Sequence, residues 1–197
     1  MDAFADALVS PLVRSGFRPN TLTVLAFLSG LSAGALIAVN RPAAALTAGI
    51  LSNIFDGIDG RVAAATNRRS RFGAMLDSTL DRYVEFFVFG GLAFYFRGRW
   101  PSVLALFALM GAILVSYARA RAEGLGFDCR IGWMQKPDRF VVIGLGMLIG
   151  LIFRILDPSL IVALSIIALG SHFTALQRLF HVRTLDQRSA VNISPRP

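Results

Sequence analysis

Four carboxylates stand close together in the chain: Asp56 and Asp59, three residues apart, then Asp77 and Asp81, four apart. Each lies on an otherwise apolar segment, where an ionised side chain costs about 2.5 to 3.5 kcal/mol at the centre of a bilayer. Gathered on apolar segments, the four would repel one another, and bound divalent metal is the compensation that physical chemistry offers. A ligand set made only of oxygen points to a hard cation, Mg²⁺ or Mn²⁺. At about 100° per residue, Gly73, Asp77 and Asp81 share one helix face, and Asp56 and Asp59 lie one turn apart on the segment before it. Gly60 and Gly73 offer bare backbone beside the acids, as a bulky phosphate ligand requires. The chemistry implied is a two-metal site, with ions about 3.5 to 4 Å apart that bind the phosphates of a nucleotide-activated substrate and stabilise its leaving group. The competing reading makes Asp59-Gly60 a helix end and pairs Asp77 and Asp81 with Arg82 and Arg71, but caps do not require four acids at matched depth.

The elements that must position these residues are helices in a membrane. The chain has 197 residues, 55% of them hydrophobic, and a mean hydropathy of +0.61, far more apolar than one soluble core needs. Apolar runs at 20–40, 43–64, 72–96, 101–122, 138–156 and 159–180 are each long enough to cross roughly 30 Å of hydrocarbon. The expected fold is therefore an all-α integral membrane protein with six transmembrane helices. Arg14, Arg18, Arg61, Arg68, Arg69, Arg71, Arg119, Arg121, Arg130, Lys136, Arg139, Arg178, Arg183, Arg188 and Arg196 fall on one side of this topology. Only Arg41, Arg97, Arg99 and Arg154 fall on the other. That asymmetry puts both termini in the cytoplasm, in the plasma (inner) membrane, with the acids near the cytoplasmic surface. It also accounts for most of the net charge of +8 without nucleic acid, because the basic residues hug the spans. Cys129 is the single cysteine, which excludes an internal disulfide.

Residues 1–18 read as a juxtamembrane amphipathic helix lying in the interface, with Phe4, Leu8, Leu12 and Val13 near helical spacing. Residues 19–182 form the six-helix catalytic domain, opened by Asn20 or Thr21 as a cap, and 183–197 form a loose polar tail. The short basic connection from Thr66 to Arg71 makes the second and third spans antiparallel neighbours and brings the two acidic pairs face to face. Gly30 with Gly34, and Gly146 with Gly150, read as close helix-packing pairs. Gly90-Gly91 reads as another close approach, to a helix of this chain or a second subunit. Arg82 and Glu85, one turn apart, are placed to neutralise each other.

The pattern Asp56-x-x-Asp59-Gly60-x-x-Ala63, followed after a short spacer by Gly73-x-x-x-Asp77-x-x-x-Asp81, resembles the signature of the CDP-alcohol phosphotransferases. The resemblance extends over nearly the whole chain, including Pro19-Asn20-x-x-Thr23, and departs at Ala64, where the family carries arginine. It implies transfer of a phosphatidyl group from a CDP-linked lipid (CDP-diacylglycerol or CDP-archaeol) to an alcohol, with release of CMP. Carried onto this sequence, Asp56, Asp59, Asp77 and Asp81 hold two Mg²⁺ or Mn²⁺. Gly60, Ala63, Gly73, Asp59 and Thr23 meet the nucleotide, and Asp81 is the general base. The family also implies a homodimer.

The segments Gly73 to Arg82 and Ser116 to Gly124 are similar to the phosphatidylinositol phosphate synthase branch and its archaeal relatives. That likeness implies inositol 1-phosphate, a small phosphorylated polyol, as acceptor, held by Ser116, Arg119, Lys136, Arg139 and Arg178. Phosphatidylglycerophosphate synthase, with glycerol 3-phosphate as acceptor, is the runner-up. A cation or proton transporter is disfavoured by the absence of sequence repeats and of midplane acids, and an inactive homologue is the reading that Ala64 motivates.

Overall fold

The computed structural model describes residues 3–193, with side chains over 9–188. Among the described residues all regular structure is helical: α1 Ala3–Arg14, α2 Pro19–Ala38, α3 Pro42–Ala65, α4 Arg71–Tyr95, α5 Pro101–Gly124, α6 Lys136–Phe153 and α7 Leu156–Ile193. Pro19, Pro42 and Pro101 each occupy the first position of a helix, where a missing N–H is no loss and a fixed φ suits the first turn. Asn20 and Thr21 therefore lie inside α2; Arg18 precedes it and makes no side-chain cap bond.

Helices α2 to α7 follow the six apolar runs, but only three of them are long and apolar enough to cross a membrane by those measures alone: Pro19–Ala38, Pro101–Gly124 and Leu156–Arg188. The reason lies in the charges that the others carry. Asp56, Asp59 and Arg61 interrupt α3; Arg71, Asp77, Asp81, Arg82 and Glu85 interrupt α4; Lys136, Asp138 and Arg139 occupy the first turn of the 18-residue α6. The tail expected to be loose after Arg183 is instead helical as far as Ile193, since no proline or glycine intervenes there. Residues 194–197 lie outside the described residues, as do the side chains of Phe4 and Leu8.

The chain packs as two compact units, Met1–Ser102 and Val103–Pro197. In the first, α2 packs on both α3 and α4. Glycine makes this possible. A Cβ on Gly34 would run into the backbone carbonyl of Phe87, and one on Gly91 into the carbonyl of Gly34, so α2 and α4 meet backbone to backbone. A Cβ on Gly30 would lie 2.5 Å from Val84 and 3.0 Å from Ser52, and Ser52 donates to the Ala26 carbonyl at 2.8 Å, tying α3 to α2. The close approach expected of Gly90-Gly91 is thus made by Gly91 within the chain. The described part of α1 lays Val9, Leu12 and Val13 against Leu22, Ile58 and Val62. The turn between α3 and α4 is closed by Ser70, whose hydroxyl accepts from the Gly73 N–H at 2.9 Å, the usual service of an N-cap serine.

In the second unit, Gly146 and Gly150 face Ala163, Ser159 and Leu156, so α6 and α7 also pack through bare backbone. Arg154, in the left-handed region at φ 57°, ends α6 and turns the chain into α7. On α5 and α7, Phe107 stacks on His172 with ring centroids 4.1 Å apart.

Candidate active site

The α3–α4 hairpin brings the acids together, but not all four equally. Oxygens of Asp56, Asp77 and Asp81 lie within 4.8 Å of one another, on partly buried side chains. Asp59 stands apart from this trio. Three residues on from Asp56, it falls about 60° away around the helix axis and turns toward α2, where its Oδ2 accepts from Thr23 Oγ1 at 2.6 Å. Asp59 and Thr23 are both buried. Three carboxylates this close are costly without a cation between them, and their all-oxygen chemistry fits a hard divalent ion.

Beside the acids lies a cavity of about 900 Å³ lined by the first turns of α2, the C-terminal half of α3, the turn after it and the start of α4. Thr23, Asp59, Gly60, Ala63 and Gly73, the residues that the resemblance assigns to the nucleotide, all line it, together with Asp56 and Asp77. A Cβ on Gly60 would meet nothing within 4 Å, so its bare backbone faces open space. Arg61, Arg68 and Arg69 line the cavity with Ala64 and add positive charge to a lining that also carries the carboxylates. Asn20, part of the Pro19-Asn20-x-x-Thr23 stretch that carries the resemblance, also lines the cavity, as does Ala74, which no sequence motif marks.

The second set of expected residues belongs to the Val103–Pro197 unit. Arg139 and Arg178 are buried and hold the linker 125–135 between α5 and α6. Arg139 Nη1 donates to the Met134 carbonyl at 3.0 Å. Arg178 Nε donates to Ile131 at 2.9 Å, and its Nη1 donates to the carbonyl of Val115. Arg119 is half-buried and paired with Glu123 at 2.8 Å, and Ser116 donates to the Ala112 carbonyl at 3.2 Å. Lys136 opens α6 behind a capping box formed by Gln135 and Asp138. Cys129 is buried in the same linker, and burial pushes its thiol pKa up. Arg178→Met strips hydrogen bonds from the carbonyls of Ile131 and Val115, a loss of about 1 to 3 kcal/mol where such acceptors are left buried. Thermal unfolding in detergent is expected to register it as a lowered midpoint.

Comparison with known proteins places the chain in a family. Residues 17–177 match the family model for CDP-alcohol phosphatidyltransferase. The phosphatidylinositol phosphate synthase of Mycobacteroides abscessus is 33% identical over 186 residues, covering 90% of this chain and 82% of that protein. The archaetidylinositol phosphate synthase of Methanothermobacter thermautotrophicus is 35% identical over 188 residues, covering 92% and 88%. Crystal structures of the Mycobacterium tuberculosis phosphatidylinositol phosphate synthase superpose with a TM-score of 0.81. One has CDP-DAG bound (28% identity, 92% of this chain and 94% of that one). Another is in complex with manganese and citrate (27% identity, 91% and 89%). With the motif residues gathered on one hairpin and matches that run nearly its whole length, this chain is a membrane-associated enzyme of the CDP-alcohol phosphatidyltransferase family.

Proposed function

We propose that this enzyme transfers a phosphatidyl group from a CDP-linked lipid to the hydroxyl of inositol 1-phosphate and releases CMP. One observation carries the reading: three carboxylates within 4.8 Å of one another, beside a cavity of about 900 Å³, in a chain whose relatives make phosphatidylinositol phosphate or its archaeal counterpart. Asp56, Asp77 and Asp81 would hold divalent metal, two Mg²⁺ or Mn²⁺ ions, and Asp59, now held toward Thr23, would complete the ligand set through its other oxygen. Metal held there would supply polarisation of the phosphoryl group and charge stabilisation for the departing CMP phosphate. Gly60, Ala63 and Gly73 let the cytidine and its phosphates approach the backbone, and Arg61, Arg68 and Arg69 offset the pyrophosphate charge.

In the reaction the acceptor oxygen bonds to the lipid-side phosphorus, the bond from that phosphorus to the CMP oxygen breaks, and the hydroxyl proton passes to a base. Asp81, last in the motif, takes that role. Ser116, Arg119, Lys136, Arg139 and Arg178 bind the acceptor phosphate, with Arg139 and Arg178 also supporting the linker that borders it. Helices α2 to α7 all cross the membrane: even the 18 residues of α6 extend about 27 Å, close to the hydrocarbon thickness. Both termini and the acids face the cytoplasm, and the protein is a homodimer in the plasma membrane.

The deciding experiment measures CMP release from CDP-diacylglycerol with inositol 1-phosphate, glycerol 3-phosphate, inositol and serine side by side. Inositol 1-phosphate is expected to support the fastest release, and release is expected to stop when EDTA removes the metal. Faster release with glycerol 3-phosphate would reassign the enzyme to phosphatidylglycerophosphate synthesis, and metal-independent release would remove the mechanism. Gly60→Val fills space that the donor is expected to occupy. A misfit of about 1 to 3 kcal/mol should appear as a KM for the CDP-lipid raised roughly tenfold, with Mn²⁺ binding kept.

A further inference from the structure

Arg82 stands beside the carboxylate cluster, yet its tighter ion pair is with Glu85. Its Nη2 lies 3.7 Å from Asp81 Oδ2, beyond hydrogen-bond distance, while its Nη1 donates to Glu85 Oε2. Asp77, Asp81 and Glu85 recur every four residues along one face of α4, and burial deepens along that series. The Asp81 side chain is 17% exposed, that of Glu85 only 1%. A carboxylate so enclosed is costly unless a charge partner accompanies it, and Arg82 is that partner.

Two demands conflict at Asp81. Before a cation arrives, three carboxylates within 4.8 Å repel one another, and a nearby guanidinium relieves them. The same guanidinium, closed in fork geometry onto Asp81, would occupy oxygens that the cation needs. An arginine anchored from the far side satisfies both demands, because its charge is felt at 3.7 Å from Asp81 while its Nη1 is drawn to Glu85.

We propose that Glu85 is a positioning residue for the metal site. It detains Arg82 one turn along α4, so that the arginine offsets the cluster's charge without taking the Asp81 oxygens from the metal. The inference rests on the metal reading above and deepens it.

Mn²⁺ binding to the full-length chain in detergent, followed by electron paramagnetic resonance of free Mn²⁺, tests it without turnover. In Glu85→Gln the guanidinium is released toward Asp81, and affinity is expected to fall roughly tenfold, as when outer partners of metal ligands are removed. In Glu85→Gln/Arg82→Gln the competitor is gone as well, and affinity should return to within about threefold of wild type. An unchanged Glu85→Gln overturns the proposal. So does a double variant as weak as the single one, which would make the pair merely structural. Should Glu85→Gln not fold, the double variant decides alone: affinity within that range of wild type supports the proposal, and weaker binding overturns it. Failure of the wild-type chain to bind Mn²⁺ would instead remove the metal reading itself.

Discussion

Asp77→Asn is expected to lower kcat/KM for CMP release on the order of 10³-fold, about 4 kcal/mol of transition-state stabilisation. The substitution keeps the size of the side chain and exchanges a carboxylate for a neutral amide, so it removes charge with little disturbance to packing. Asp77, like Asp56, both belongs to the three-carboxylate cluster and lines the adjoining cavity, so it is placed to act on donor and metal together. Steady-state kinetics across a Mn²⁺ titration separate the two effects. A weakened metal site shifts the half-saturating concentration, and a damaged reacting geometry lowers the plateau even at saturating metal. Both shifts are expected. A variant within about tenfold of wild type at every Mn²⁺ concentration would mean that the ions bind elsewhere, and the assignment of chemistry to this hairpin would fail.

The second large effect lies away from any reacting group. Gly34→Val is expected to cost about 3 kcal/mol or more, because the added carbons have no side chain to push aside. They meet the Phe87 carbonyl on α4, and the Gly34 carbonyl itself lies against Gly91. Overpacking of a flexible core costs about 1 to 3 kcal/mol, and rigid backbone on both sides places this case at the upper end. Forcing α2 from α4 also displaces Thr23 and Asp59 relative to Asp77 and Asp81, so activity should fall with stability. Thermal unfolding in detergent, read together with CMP release, checks both. Gly90→Ala is the matched control: a Cβ there meets nothing within 4 Å and should leave the unfolding midpoint nearly unchanged. Equal effects at Gly34 and Gly90 would refute the argument from close backbone contact.

Much of this architecture could be read from the order of residues. Prolines at 19, 42 and 101 mark helix starts, the apolar runs give the helix bodies, and the four-residue spacing of Asp77 and Asp81 puts them on one face. What could not be read was rotation. Asp59 looks equivalent to Asp56 in the motif, and its turn toward Thr23 depends on how α2 is seated on α3, which glycines and small side chains decide in three dimensions. Likewise Arg139 and Arg178 are legible as cations but not as donors to the carbonyls of Met134, Ile131 and Val115. The linker 125–135 has no periodicity from which to infer what holds it. The expectation of six spans also illustrates a limit: the charged residues that make α3 and α4 chemically useful are those that keep them from qualifying as spans by length and apolarity.

Asp56, Asp77 and Asp81 all sit on the two arms of one hairpin, joined by the short turn that Ser70 closes. Nothing distant in the chain has to arrive before they meet. Closing so small a loop is fast, on the submicrosecond scale for about ten residues, and the pairing is local in sequence. On the ribosome, the carboxylate corner can therefore take shape while the remaining helices are still being translated. A nascent chain then has its most heavily charged region internally organised early, before the burial of those charges has to be completed.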